Sequence, residues 1–186
     1  ADLNPEKLWS YELSYSQRLL QGQLSYGVNA FYIDGKDLIM RVPVDGRQMN
    51  VNTGKVENAG VEAQVAYRLA SAWSLDANYS YLHMDNPVLA SPEHKLYAGA
   101  AFSKGRWYVS TGCQYVAGLY TEVKVAGQGD YATEDFVLWN LRGSFRALEW
   151  LNIWVRGENL LARKYEINAR FPMPKATVMA GMNVRF

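Results

Sequence analysis

Apolar and polar residues alternate along almost the whole chain with a period of two. Trp9, Tyr11, Leu13 and Tyr15 alternate with Ser10, Glu12, Ser14 and Ser16, and Leu24 to Tyr32 repeats the pattern against Gln23, Ser25, Gly27 and Asn29. Further runs are Val61/Ala63/Val65/Tyr67, Trp73/Leu75/Ala77/Tyr79/Tyr81, Leu96/Ala98/Ala100/Phe102 and Trp107/Val109/Thr111/Cys113/Tyr115. Val137/Trp139/Leu141/Gly143/Phe145, Leu151/Ile153/Val155 and the tail "VMAGMNVRF" complete nine. Side chains on a strand point to alternate faces, so each run predicts a strand with one apolar and one polar face. Across all nine runs the apolar positions include no Asp, Glu, Lys or Arg, while the other parity carries Glu12, Glu62, Arg68, Asp76, Lys95, Arg142, Arg156 and Arg185.

Two architectures alternate in this way. An antiparallel sandwich buries its apolar face in a core, and an outer-membrane barrel turns it to lipid. Soluble strands usually span about 5–6 residues, whereas membrane barrel strands need about 9–11. Ala72 to Met84, Arg106 to Ala117 and Ala176 to Phe186 each sustain the longer length. Connections alternate too. Tight turns at Leu19–Gly22, Leu69–Ala72, Ser103–Gly105 and Arg146–Glu149 are interleaved with "VDGR", "DNPVLASPE", "AGLYTEVKVAGQGDYATE" and "LARKYEINARFPMPK". Every second connection is tight, as in barrels with short turns on one side and long loops on the other. "VDGR" is short for its side, and is expected to cap two strands that continue past the membrane, with Asp45-Gly46 as the hairpin turn.

Composition sharpens the choice. Tyr (13) and Trp (6) are abundant in 186 residues, and aromatics gather at run ends, as interfacial girdles require. No stretch approaches the ~18 apolar residues of a transmembrane helix, which a β-barrel does not need. Net charge is +1, so nothing draws the chain to nucleic acid. The one cysteine, Cys113, sits on the apolar parity as a small hydrophobe, and with His83 and His94 it makes no zinc spacing. Nine strands is an odd number where single-chain barrels have an even one. The expectation is that residues 1–186 form the final portion of a larger barrel, cut in an external loop, of which "ADLNPEK" is the remainder.

Four stretches, in order, resemble TonB-dependent outer-membrane receptors. They are "NPEKLWSYELSY" (Asn4–Tyr15), "VNTGKVENAGVEAQVAYRL" (Val51–Leu69), "SPEHKLYAGAAF" (Ser91–Phe102) and "RGENLLARKYE" (Arg156–Glu166), the last followed by "FPMPKATVMAGMNVRF". Leu161-Ala162-Arg163 departs from the family, where an aromatic and an Asn are usual. The resemblance implies an all-β, antiparallel transmembrane barrel of about 22 strands, of which this chain supplies the last nine or so. It also implies a plug domain and an N-terminal box that this chain does not contain, and a location in the outer membrane of a Gram-negative bacterium. The implied partners are outer-membrane lipid, an energy-transducing TonB complex acting through the missing N-terminal part, the imported ligand, and the barrel-assembly machinery. That machinery would read the terminal strand, with Phe186, Val184 and Met182 on its apolar parity, and the same strand would close the barrel.

No catalytic arrangement, cofactor or metal site is expected. Ser, His and Asp do not gather for nucleophilic catalysis, and Glu158-Asn159 at a strand end is expected to order the rim by hydrogen bonds. Ligand contact is assigned to Tyr120, Tyr131, Tyr165, Arg170 and Phe171 in the external loops, since aromatics and an arginine can stack on and neutralise an anionic chelate. The same residues would equally serve girdle and loop packing. The leading functional reading is energy-coupled import of a scarce, large nutrient, with ferric siderophore ahead of cobalamin, haem and oligosaccharide. A passive or structural outer-membrane barrel and a soluble β-sandwich binding module are the alternatives, the second separable by detergent dependence.

Overall fold

The computed structural model describes residues 3–44, 46–122 and 132–185. Eight long strands follow one another: β1 (Lys7–Leu19), β2 (Leu24–Val44), β3 (Arg47–Leu69), β4 (Trp73–Met84), β5 (His94–Lys104), β6 (Trp107–Glu122), β7 (Ala132–Leu148) and β8 (Leu151–Glu158). A small hairpin, β9 (Glu166–Asn168) and β10 (Phe171–Pro172), interrupts the chain before β11 (Thr177–Val184). β1 to β8 and β11 form one nine-stranded sheet, every neighbour antiparallel and in chain order. Strand packing runs only between sheet neighbours, apart from the β9–β10 hairpin against β6, and no second layer covers either face among the described residues. That arrangement does not support the sandwich alternative, whose core lies between two sheets.

The register carries one parity unbroken across the sheet. Leu13 pairs with Ala30, Ala30 with Val61, Val61 with Tyr81, and Tyr81 with His94. Farther along, Ala98 pairs with Cys113, Cys113 with Trp139, Phe145 with Ile153, and Ile153 with Met182. A one-residue slip between any two strands would move charges onto this apolar face, so the face itself pins the register. Leu13 is 78% exposed and Met182 69% exposed. Hydrocarbon rather than water suits such a surface, because an apolar patch this large is not left bare on a soluble monomer.

Two aromatic belts bound the apolar band. Near the tight turns Trp73 meets Phe102 at 4.9 Å between ring centroids, and Trp107 meets Phe145 at 4.5 Å. Near the long loops Tyr11 faces Tyr32 at 6.5 Å, and Tyr81 packs on His94 at 5.0 Å. The Tyr79 hydroxyl also hydrogen-bonds His94 Nδ1 at 2.8 Å. From Trp73 to Tyr81 the strand advances roughly 26 Å, comparable with the ~25 Å apolar band of outer-membrane barrels. β2 and β3 run 21 and 23 residues, well beyond this band, as expected from the short link between them. Gly46 takes φ 76° in that turn; Asp45 lies outside the described residues.

The opposite face is polar and carries its own packing device. The Tyr97 ring lies over Gly99 and Gly112, where an added Cβ on Gly112 would stand 2.7 Å from Cε2 of the ring. Phe31 covers Gly60, and Trp154 covers Gly181, in the same way. A glycine on a neighbouring strand gives each ring room to lie flat on the wall. β1 and β11 each have one edge with no strand beside it among the described residues, and on β11 Met182 and Val184 pair with Ile153 and Leu151.

Two outcomes are expected. Ala98→Lys, mid-band on the apolar face, lowers stability in lipid vesicles by about 2–4 kcal/mol, whereas Gln114→Lys on the polar face costs under about 1 kcal/mol; equal losses would contradict the assignment of faces. Gly112→Ala costs about 1–3 kcal/mol by forcing the Tyr97 ring off the wall, and Tyr97→Ala removes most of that cost in a double-mutant cycle.

Candidate functional site

The chemistry-bearing end of the sheet lies above the aromatic belt on the long-loop side, where the alternation changes. On β7 the polar parity reads Arg142, Asn140, Leu138, Phe136 going upward, so two apolar residues sit where polar ones stand below. β6 matches them with a bulge. Its register shifts between Val116 and Leu119, where Gly118 adopts φ 63°, a conformation suited to glycine. The Gly118 N–H donates to Asp135 Oδ1 at 2.7 Å. The bulge lets both Val116 and Leu119 bury against Phe136, with Leu138, Tyr165 and Ile167 packed on them. An apolar cluster therefore stands on the lumen side of the upper wall, with the β8–β11 connection folded over it.

Asn159 holds that connection. Its φ of 48° lies in the left-handed region that asparagine tolerates better than most residues. The side chain is buried; its Nδ2 donates to the carbonyls of Arg163 (2.8 Å) and Pro174 (3.1 Å), and its Oδ1 accepts from Arg163 N–H at 3.0 Å. The Asn159 N–H in turn donates to Asn140 Oδ1 at 2.9 Å on the wall below. One amide thus ties both ends of the connection to the barrel, the rim-ordering role expected for the Glu158-Asn159 pair. Glu158 itself forms an exposed ion pair with Arg156 at 3.3 Å.

The β9–β10 hairpin is fixed by carboxylates. Glu134 Oε2 accepts the Glu166 N–H at 2.7 Å, and Glu166 Oε2 accepts the Arg170 N–H at 2.6 Å. Arg170 sits at φ 71°, a strained conformation for a residue with a Cβ, held by that second bond. The Ala169 N–H donates to the Thr121 carbonyl at 2.9 Å, which docks the hairpin tip on β6.

The expected contact residues divide. Tyr165 stacks on Phe136 at 4.4 Å, and burial, followed by the charge of Glu158, raises the pKa of its hydroxyl. The Tyr120 hydroxyl donates to Glu93 Oε1 at 2.7 Å, which ties β6 to the β4–β5 connection. Arg170 and Phe171 lie together on the exposed hairpin, with Phe171 72% exposed. Tyr131 and Phe186 lie outside the described residues. Sequence reasoning missed Val116, Leu119 and Phe136 of the cluster, and Glu134 and Glu166 of the hairpin clamp. Apolar residues at Val116, Phe136 and Leu138 on an otherwise polar parity were the available signal.

His83 and His94 do not meet; His83 contacts Asp85 at 3.4 Å and His94 stacks on Tyr79 and Tyr81. Among the described residues no group of three or more His, Cys, Asp or Glu side chains is placed to hold a metal ion.

A family model described as TonB dependent receptor-like, beta-barrel, matches residues 1–160. No curated relative matches by sequence. Among solved structures, the FrpB iron transporter from Neisseria meningitidis superposes with a TM-score of 0.82 at 17% identity, over 99% of this chain and 32% of that one. The ferric-catecholate import receptor Fiu from E. coli K12 gives 0.78 at 19% identity, over 99% and 28%. The copper transporter OprC gives 0.75 at 18% identity, over 100% and 32%. The chain thus spans about a third or less of the length of these proteins, and at such identities the likeness establishes the fold alone. The family match covers most of the sheet whose two faces, girdles and inward-folded rim are described above, and the chain belongs to the TonB-dependent receptor family, as part of its β-barrel.

Proposed function

We propose that this chain forms the last nine strands of a 22-stranded barrel in the outer membrane of a Gram-negative bacterium, and that the whole protein imports a scarce, large nutrient, with ferric siderophore as the leading substrate. The carrying observation is the two-faced sheet: a charge-free outer face bounded by aromatics, and a polar inner face whose upper rim is closed over by an ordered loop. A passive pore needs the first of these features but not the inward-folded rim. Iron-transport receptors among the structural relatives lend weight to the substrate class.

In this reading the barrel wall binds and guides but performs no covalent chemistry. Phe171 and Arg170, exposed on a hairpin whose backbone is pinned by Glu166, meet the ligand at the vestibule: the ring stacks and the guanidinium neutralises an anionic chelate. Tyr120 and Tyr165 support that contact by fixing the rim beneath it, and Tyr131, which lies outside the described residues, is proposed as a further ligand contact from its sequence position alone. Energy enters from a TonB complex through a plug and N-terminal box outside these residues. β11, with Met182 and Val184, serves assembly and closure, since pairing its free edge removes unpaired backbone groups from lipid, and Phe186, outside the described residues, is proposed to share that role from its place in the sequence.

The test is uptake by the full-length receptor in a Gram-negative host lacking its own iron receptors. Radio-iron delivered as catecholate, hydroxamate and carboxylate chelates is expected to enter with at least one class and to stop when the proton gradient is dissipated. Entry of cobalamin, haem or an oligosaccharide with no ferric siderophore would overturn the substrate assignment. Arg170→Ala with Phe171→Ala is expected to weaken ligand binding about tenfold while leaving heat-modifiable migration intact; unchanged affinity would remove both residues from the contact.

A further inference from the structure

The β2–β3 ribbon turns its apolar side from lipid to the barrel axis as it leaves the membrane. Up to Tyr32 and Ala59 the outer parity is the apolar one, and Gly35 pairs with Val56 on the inner side. The register then shifts twice, between Gly35 and Leu38 and between Leu38 and Ile39. The first shift places an extra residue on β2, where Asp37 adopts φ 58°, and the second an extra residue on β3. Each extra residue reverses the parity of its own strand. Leu38 therefore joins the inner face: a Cβ on Gly35 would meet Leu8, Val56 and Leu38, and one on Gly54 would meet Leu38 and Met40. Beyond the bulges Met40 pairs with Val51, Val42 with Met49, and Val44 with Arg47, all on that inner face. The charges at the ribbon's base stay outside, in the pairs Lys7–Asp37 (3.8 Å), Lys36–Asp34 (3.1 Å) and Lys55–Glu57 (3.0 Å). Asn52 locks the bulge, donating to the carbonyls of Asp37 (2.6 Å) and Asn4 (2.9 Å), and Glu6 Oε1 accepts the Ile39 N–H at 2.7 Å. Met40 is 50% exposed, and no other strand packs on this face among the described residues. An apolar surface held in water above a membrane marks a contact site.

We propose that this inner face, Met40, Val42, Met49 and Val51 with Arg47 at its tip, docks the aromatic rings of an anionic ferric chelate, which makes catecholates the cargo class. The proposal deepens the import reading above and rests on it. Charge and surface chemistry select the occupant. From Leu38 to Val56 the inner face carries Arg47 and no carboxylate among the described residues, so it complements an anion. Thioethers adapt their shape and make favourable contacts with aromatic rings, and a guanidinium stacks on a ring while neutralising its charge. Arg170 and Phe171 present the same combination, a cation beside an apolar surface, on the β9–β10 hairpin. A ligand suited to both elements is anionic and carries rings. Ferric catecholates meet both demands, whereas a ferric tris-hydroxamate core is neutral and without rings, and ferric citrate is anionic without rings. The locked base also means that the ribbon is ordered before the chelate arrives, which lowers the entropy lost on binding.

The experiment is equilibrium dialysis of the full-length receptor in nanodiscs against radio-iron complexes of a tris-catecholate, a tris-hydroxamate and citrate. Wild type is expected to bind the catecholate about tenfold more tightly than the other two, or better. Met40→Gln/Met49→Gln is expected to weaken catecholate binding about tenfold by removing ring contacts. Arg47→Gln is expected to weaken it and to flatten its salt dependence, and Asn50→Ser on the outer face to change neither. Heat-modifiable migration checks each fold; if the double variant fails it, Met49→Gln alone carries the test, with an expected loss of about threefold. Wild-type affinity in the methionine variant overturns the proposal, and so does a wild type that prefers hydroxamate or citrate. Both results leave import standing, because the receptor still binds a ferric chelate. If the methionine variant keeps its affinity but has gone from two copies to one, the face joins two receptors and the proposal falls. A wild type that binds none of the three complexes overturns the ferric-siderophore reading together with this one.

Discussion

The constraint on which this structure depends is that backbone hydrogen bonding and side-chain parity must stay in step across every strand. A sheet exposed to hydrocarbon has no water to repair an unpaired amide, and a slip of one residue would bring Glu12, Glu62, Arg142 or Arg156 to the lipid. Each strand therefore restricts the next, and the apolar parity passes intact from Leu13 on β1 to Met182 on β11. Glycines on the inner face serve the same end. By receiving the rings of Phe31, Tyr97 and Trp154, they let bulky residues occupy a wall without pushing the strands apart.

Above the membrane the constraint is released, and the chain uses the release. The β6 bulge at Gly118 turns Val116 and Leu119 to one side, and Phe136 answers from β7. A small core results where the β8–β11 connection folds back onto the wall. Polar groups then lock the loop: Asn159 binds carbonyls at both of its ends, and Glu134 and Glu166 cap amides of the hairpin. A rim built in this way is ordered before any ligand arrives, so less entropy is lost when one binds.

The strands, their faces, the tight turns and the long β2–β3 ribbon were legible in the sequence because all of them follow from a period of two. The rim was not, since its order comes from non-periodic features. A bulge at Gly118 resets the parity, and Asn159 acts through backbone carbonyls at residues 163 and 174 that no side-chain pattern marks. Tyr120 and Tyr165 were read as aromatics available to a ligand; in the fold each has a protein partner, Glu93 and Phe136, and only Arg170 and Phe171 stand out on the exposed hairpin. On the ribbon, Met40, Val42 and Val44 continue the outer parity of β2 by number. That the bulge at Asp37 turns them inward needed the register.

The central claim is that one parity faces lipid and the other a lumen. It is tested most directly by placing single cysteines at positions 95 to 102 of β5, in a Cys113→Ser background, in the full-length receptor reconstituted in bilayers. A fluorophore at each position is then exposed to a lipid-attached quencher. Strong quenching at Leu96, Ala98 and Ala100 with little at Tyr97, Gly99 and Ala101 is the predicted result. Quenching without a period of two along β5 would contradict the account.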